Sequence, residues 1–430
     1  MATADHAALV APLTSTGRGQ KLLVAALLCV LAWGAYGYVT QLRDGLQVTG
    51  LSRPVYWGMY IINLIFFIGV SYGGTLASAV LRLVGAEWRR PITRAAEATT
   101  VCALIVGGPQ PLIDLGRLDR AGTILLHPSF SSPMLWDIVA ISTYLVVSVA
   151  YFWLALIPDA AWLRDARVGG RLRRGLYTVL AAGFTGTDAQ RRRLHVALGI
   201  VAVAVIPIAV SAHTVLSWVP GLSLVPMWHS ALFGPYFVLG AVFSGLATII
   251  VALAIVRRAY GLHDYLRPEH FAKLGLMLLA LSTVWSYFTF AEHLTAFYGK
   301  IPDELVIAHE RVYGRFAKLF LAMALACGVC PLLLGFRRIR TVAGTVAVSL
   351  LVLAGMWVER FLILVPSEVS PRLPHEAARY APTWVEWSEL CASLAAFTLL
   401  FIGMTKLFPI ISRWEVDEAA SAHPKGCEKR

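Results

Sequence analysis

Ten apolar runs, each about the length that crosses a bilayer, occupy most of this chain: 22–41, 56–81, 95–115, 133–157, 194–216, 230–256, 271–295, 316–336, 341–364 and 385–409. A helix needs about 20 predominantly apolar residues to traverse a hydrocarbon core roughly 30 Å thick. Backbone amides find no water there, so only helices and closed barrels cross it. Barrel strands would alternate apolar and polar side chains, whereas these runs are continuous. The chain therefore reads as an all-α integral membrane protein with about ten transmembrane helices. Charged residues make up 14% of its 430 residues, against roughly 25% in soluble domains. A net charge of +12 would point a soluble protein toward nucleic acid. Here the arginines gather between the runs, which is a signal of membrane orientation and leaves no nucleic-acid partner expected.

Basic residues are retained on the cytoplasmic side. The connections after the second, fourth, sixth and eighth runs carry nineteen, among them Arg82, Arg89, Arg90, Arg94, eight arginines from Arg164 to Arg193, and Arg337, Arg338 and Arg340. The odd connections carry nine: Arg43, Arg53, Arg117, Arg120, Lys300, Arg311, Arg315, Arg372 and Arg379. Both termini are thus expected in the cytoplasm, with a multi-pass chain in a bacterial inner membrane. The long connection at 158–193 divides the chain into two four-helix bundles, with the first and last helices packed outside. The expected organisation is a cytoplasmic tail (1–21), a peripheral helix and outer loop (22–55), a first bundle (56–216), a second bundle (217–364), an outer loop with the last helix (365–409) and a cytoplasmic tail (410–430). No small-residue cleavage site follows the first run, so it reads as a retained span rather than a signal peptide. Small-residue patches at Tyr72-Gly73-Gly74 and Phe243-Ser244-Gly245 suit close helix packing.

The six cysteines are scattered, and no four have ferredoxin spacing. Cys327 and Cys330 lie inside an apolar run, where small buried residues are the simpler reading. Haem b needs axial histidines on facing helices. Most histidines here fall in loops or at run ends, so no haem, iron–sulfur cluster or other metal is expected on this chain.

Ionisable residues in or beside a membrane are costly and mark function. Asp114 ends the third run, Asp137 opens the fourth, and His127 lies in the loop between. His213 is near the outer end of the fifth run, and Tyr60 and Asn63 are near that of the second. All converge on one face. A carboxylate partly removed from water holds a proton more readily, which suits proton acceptance, and histidine can donate or accept near neutral pH. Asp137 is the first candidate, Asp114 the second, with His213 and His127 for a second ligand oxygen. Structural readings stand beside these. Asp114 could pair with Arg117 or Arg120, Asp137 could cap the fourth helix, His127 could be a loop or partner contact, and His213 could be a packed histidine. Tyr56 and Trp57 read as interfacial belt residues. Glu97, Glu292, His293, Glu359 and Arg360 form a second set, either a proton path or structural ion pairs.

The segments Arg53 to Gly58, Phe67 to Gly74, Glu87 to Glu97, Asp114 to Arg117, Ser132 to Asp137, Ala212 to Val215, Trp228 to Ser230, Phe297 to Glu304, and Gly355 to Arg360 with Pro366 and Ser367 together resemble the NrfD/PsrC family of polysulfide-reductase-type membrane subunits. Within it, the chain looks most like the quinol-oxidising subunit of alternative complex III. Asp114 stands where that subgroup usually has His, and Val219 where an acidic residue is common. The resemblance implies a subunit without prosthetic groups in a respiratory or photosynthetic complex. It implies menaquinol or ubiquinol bound near the periplasmic face by Asp114, Asp137 and the Trp218–Val219 region. Electrons would pass to a periplasmic iron–sulfur protein, with a cytochrome c or a molybdopterin subunit and other membrane subunits as companions. Proton translocation would be an addition to that role. Outer loops 115–132, 217–229 and 296–315 are the expected docking surface. The competing class is a secondary transporter or proton channel without redox partners, for which paired helices broken by Gly or Pro at the midplane are not evident.

Overall fold

The computed structural model describes residues 7–370 and 379–422, and the described residues form helices joined by turns. Arg372, Cys427 and the last residues of the expected C-terminal tail lie outside them, as do residues 1–6. The spanning elements are α1 (Arg18–Asp44), α2 (Met59–Leu83), α3 (Arg90–Gly107), α4 (Pro133–Asp165), α5 (Asp188–Gly221), α6 (Phe233–Ala259), α7 (Pro268–Gly299), α8 (Ala317–Gly335), α9 (Val342–Val369) and α10 (Trp384–Leu407). Among the described residues nine helices are long and apolar enough to cross a membrane, and α3 belongs to a bent pair in which Glu87–Asp114 turns by 106° into Leu118–Leu126. This is a multi-pass membrane protein of about ten helices.

Helices α2 and α6 hold the centre. The most apolar stretch of α2 is 94% buried, against 11% for α1. Helix α2 packs on α3, α5, α6 and α9, while α6 also packs on α5, α7 and α9. The two central helices cross where the small-residue patches meet. A Cβ on Gly73 would lie 2.3 Å from the Gly245 Cα, so no side chain fits between the backbones. Helix α1 lies against α10 by the same device, since Gly34 and Gly37 sit on Ala392 and Ser388.

Three elements differ from the expectation. Helices α4 and α5 run past the ends of their apolar runs, and the helix Arg171–Leu180 fills the gap between them. The 158–193 connection is therefore mostly helical. Its Tyr177 is buried and donates to the Leu407 carbonyl at 2.9 Å. Helix α8 is not uniform. It widens over Leu325–Val329 and tightens over Cys330–Gly335, because Pro331 has no N–H to give the Cys327 carbonyl. Ser282 on α7 donates to that carbonyl instead, at 2.6 Å.

The chain does not end with α10. An extended stretch leads into α11 (Arg413–Ala422), which tucks beneath α3 and α4. Its Glu415 is buried and accepts from Arg82 at 2.5 Å, Arg89 at 3.2 Å and Thr93 at 3.1 Å. Beside it, Arg94 pairs with Asp159 at 3.0 Å, both fully buried, and Asp159 also accepts from the Trp414 amide.

Candidate functional site

Helix α4 starts at Pro133 with Ser132 as its cap. Asp137 therefore lies in the second turn and does not cap the helix. One of its carboxylate oxygens, Oδ1, is buried without a hydrogen-bond partner among the described residues. It lies within electrostatic range of Tyr72 of α2, whose hydroxyl is likewise buried without a partner among them. Seven residues along α4, Tyr144 stacks on Tyr72 with ring centroids 4.3 Å apart. On the other side His213 of α5 lies 4.7 Å from the Tyr72 ring, with its own ring against the Phe237 backbone. His213 is a fully buried residue two turns inside α5 rather than at its rim. Three helices thus bring together a carboxylate oxygen and a phenol without partners among the described residues, and an imidazole held on one side by the Phe237 backbone.

Asp114 belongs to a neighbouring group. It does not pair with Arg117, which is held instead by Asp119 at 2.8 and 2.9 Å. That hydrogen bond keeps the exposed Asp119 carboxyl below its ordinary range. Asp114 faces Tyr60, Glu368 and Glu386, and its Oδ1 is also buried and unpartnered among the described residues. Tyr60 donates to Gln41 at 2.5 Å. Asn63 donates to Glu389 at 2.6 Å and accepts from Trp357 at 3.1 Å. Tyr60 and Asn63 therefore tie α2 to α1, α9 and α10, away from Asp137. His127 is exposed in its loop. Around both carboxylates the rim is apolar, with Leu118, Leu125, Leu126, Phe130, Trp136, Leu222 and Leu224 exposed.

Below Tyr72 the first bundle carries hydroxyls. Tyr144 donates to Thr75 at 3.0 Å, and Thr75 to Thr100 at 3.1 Å. One turn further on, Ser78 donates to Glu97 at 2.8 Å and meets Tyr151 at 3.3 Å. Arg82 then donates to Tyr151 at 3.1 Å and reaches Glu415. Between the two segments stands Ser148, whose buried hydroxyl lies against that of Tyr144. Of the second candidate set only Glu97 lies on this column.

Glu292, His293 and Glu359 line a separate cavity of about 20 Å³, with Tyr236, Thr289 and Arg311. That is room for about one water. Most groups here are already bonded: Glu359 to Trp285 at 3.1 Å and in an ion pair with Arg360, Glu292 to Ser230 at 2.8 Å, and Arg311 to Ser367 at 2.9 Å. Among the described residues no three His, Cys, Asp or Glu side chains gather as a metal site. Cys327 is buried against Gly355 and donates to the Val352 carbonyl at 3.7 Å.

Sequence reasoning treated Tyr72 only as part of a packing motif and passed over Tyr144 and Glu415. The signal for Tyr144 was a tyrosine two turns below Asp137 on the same face, which a helical period would have found.

The family model described as polysulphide reductase, NrfD, matches residues 47–371. The chain is 24% identical over 416 residues to a selenate reductase subunit of Mesobacillus selenatarsenatis, covering 92% of this chain and 95% of that one. It is 24% identical over 427 residues to an Hdr-like menaquinol oxidoreductase integral membrane subunit of Archaeoglobus fulgidus, with the same coverage of 92% and 95%. It is 32% identical to a putative dimethyl sulfoxide reductase membrane subunit of Halobacterium salinarum over 243 residues, 56% of this chain and 52% of that one.

Proposed function

The chain belongs to the polysulphide reductase NrfD family, and on that premise we propose that it is the quinone-reactive membrane subunit of an electron-transfer complex. Quinol binds at Asp137, Tyr72 and His213. The observation that carries this is the pair of buried atoms without partners among the described residues, Asp137 Oδ1 and the Tyr72 hydroxyl, with the His213 ring 4.7 Å from that of Tyr72. An unsatisfied buried polar group costs about 1–3 kcal/mol, and native proteins keep few of them. A two-oxygen ligand supplies what they lack. When bound, the quinol supplies two electrons and two protons. Asp137 accepts a proton at Oδ1, and Tyr72 and His213 orient the ring through the hydroxyl and an imidazole nitrogen. The Tyr144–Thr75–Thr100 and Ser78–Glu97–Tyr151 segments move protons along the bundle, with water at Ser148 closing the gap between them. The groups around Glu359 and Glu292 serve to dock helices, since Glu359 bonds Trp285 and Arg360, Glu292 bonds Ser230 and Arg311 bonds Ser367.

The Asp137 end faces the periplasm in this reading, which the arginine distribution supports, and both termini lie in the cytoplasm. Leu118, Leu125, Leu126 and Phe130 form the apolar part of a surface on which an iron–sulfur subunit docks. The relatives named as reductase and menaquinol oxidoreductase subunits support partners of that class, and menaquinol over ubiquinol.

The test is mild-detergent purification from native membranes, followed by quinone extraction and identification of co-purifying chains. Recovery of an iron–sulfur protein together with extractable quinone is expected. A chain recovered alone, with no quinone and no redox partner, would turn the assignment to a transporter.

A further inference from the structure

A second feature of the molecule opens sideways into the membrane. Between α10 and the pair α6 and α9 lies an apolar groove of about 960 Å³. Its walls include Phe66, Phe67, Ala252, Leu353, Trp357 and Phe397, and none of the described residues that line it is charged. Its depth is limited. Along α10 the lining runs from Leu390 to Thr405 and along α6 only from Thr248 to Tyr260. At 1.5 Å per residue these are about 22 and 18 Å, against a hydrocarbon core of roughly 30 Å. A spanning helix from a partner would need the whole length. A chain that enters from one surface and ends short of the other fits better.

The open end of the groove is polar and basic. It is bounded by Ser15, Gly17, Gly19 and Gln20, where α1 begins, and by Tyr260 and Thr405. Gly17 caps α1 with no side chain on the first amides, and a Cβ on Gly17 or Gly19 would meet nothing within 4 Å. Arg18 and Lys21 are exposed in that first turn. Lys406, 5.9 Å from the Tyr260 ring centroid, is held by the Pro12 and Ser15 carbonyls at 2.8 and 2.6 Å and so fixes the mouth, leaving Arg18 and Lys21 as its basic groups, and Tyr260 bonds Thr405 at 2.7 Å. Uncapped amides at the start of a 27-residue helix attract negative charge, and basic residues at a membrane surface attract anionic lipid.

We propose that this groove is a binding site for an anionic phospholipid of the arginine-rich leaflet. Its acyl chain lies along α6 and α10 toward Trp357, and its phosphate rests at the Gly17–Lys21 turn. The site is separate from the Asp137 region and holds whether or not that region binds quinol.

The test uses the protein purified with its partner subunits, stripped of lipid and reloaded with phosphatidylglycerol or phosphatidylcholine of identical chains. Retained lipid is counted by native mass spectrometry. Phosphatidylglycerol should be retained over phosphatidylcholine by about fivefold or more, given the basic residues at the mouth. Gly19→Asp should erase that preference with turnover unchanged. An acid in the first turn favours the helix, and the position is open, so folding is not at risk. Ala252→Phe should lower retention of both lipids by narrowing the groove. Equal retention of the two lipids by the unaltered protein, or an undiminished preference in Gly19→Asp, would overturn the proposal. So would crosslinking of a partner subunit's helix to a photoreactive phenylalanine analogue placed at position 394 in the assembled complex.

Discussion

Two carboxylates with buried oxygens, Asp137 on α4 and Glu415 on α11, are treated in opposite ways. Glu415 is gripped by Arg82, Arg89 and Thr93. Asp137 leaves an oxygen unbonded, and the Tyr72 hydroxyl is also unpaired among the described residues. Burial costs both groups solvation. At the Glu415 end the chain offsets that cost with its own cations and so makes a structural joint. At the Asp137 end it leaves the partners out, which makes sense if something else brings them. The difference separates a charge that holds the fold from one held ready for a ligand, and it can be tested at both ends.

The largest effect is expected at the paired end. Arg94→Ala leaves Asp159 buried with backbone amides of Arg413 and Trp414 and the Ser412 hydroxyl as partners but no longer a paired cation beside it. Breaking a buried pair from one side costs about 3–5 kcal/mol. Thermal unfolding in detergent should fall accordingly, and any turnover per folded molecule should persist. A variant as stable as the parent would show that the pair is not structural.

Asp137→Asn should do the reverse. It keeps the size of the side chain and removes the proton-accepting oxygen. Loss of a positioned acid–base group costs about 10²–10⁴-fold, so quinol turnover should drop about 100-fold or more while partner subunits still co-purify and unfolding is unmoved. Normal turnover would sink the assignment. Tyr72→Phe sharpens it. The hydroxyl has no partner among the described residues, so its removal should leave stability unchanged or slightly raised, while turnover falls about tenfold, the equivalent of one lost hydrogen bond of ~1.4 kcal/mol. Tyr144→Phe is the contrast. That hydroxyl bonds the Ser71 carbonyl at 3.1 Å and Thr75 at 3.0 Å, so stability should fall by about 1 kcal/mol.

The same comparison explains what could be read from the chain. The spans were legible because about 20 apolar residues admit few alternatives. The α2–α6 crossing was half legible: Gly73 and Gly245 announced close packing, but not that they pack on each other. Asp137 and His213 stood out as costly residues in apolar runs. Their grouping with Tyr72 was not legible, because it depends on the rotation of three helices about their axes. Tyr60 and Asn63 lay at the expected depth but turn toward α10. Glu415 was least visible. It lies beyond the last span in a stretch that reads as a polar tail, and its partners Arg82 and Arg89 are more than 300 residues away. Cys-x-x-Cys carried a hint of its own, since Pro331 inside the run foretold a break in α8, where Ser282 satisfies the carbonyl that the break leaves free.

The smallest expected effect is a titration at the paired end. Burial alone would raise the Glu415 carboxyl, but the guanidinium groups of Arg82 and Arg89 outweigh it and hold the group below its ordinary value of 4.5. A carboxyl depressed in the folded state stabilises fully above its unfolded value and loses that contribution as pH falls through the folded one. Docking of α11 should therefore be unaffected between about pH 7 and 5 and weaken only below about pH 4.5. Hydrogen exchange over residues 413–422 should report it, with amides protected at neutral pH and opening on acidification. Glu415→Gln should open the same amides at every pH, by about 1–2 kcal/mol for the lost charge-assisted bonds. Opening that began near neutral pH in the unaltered protein would mean that the arginines do not hold Glu415 ionised. The contrast with Asp137 would then lose its fixed end.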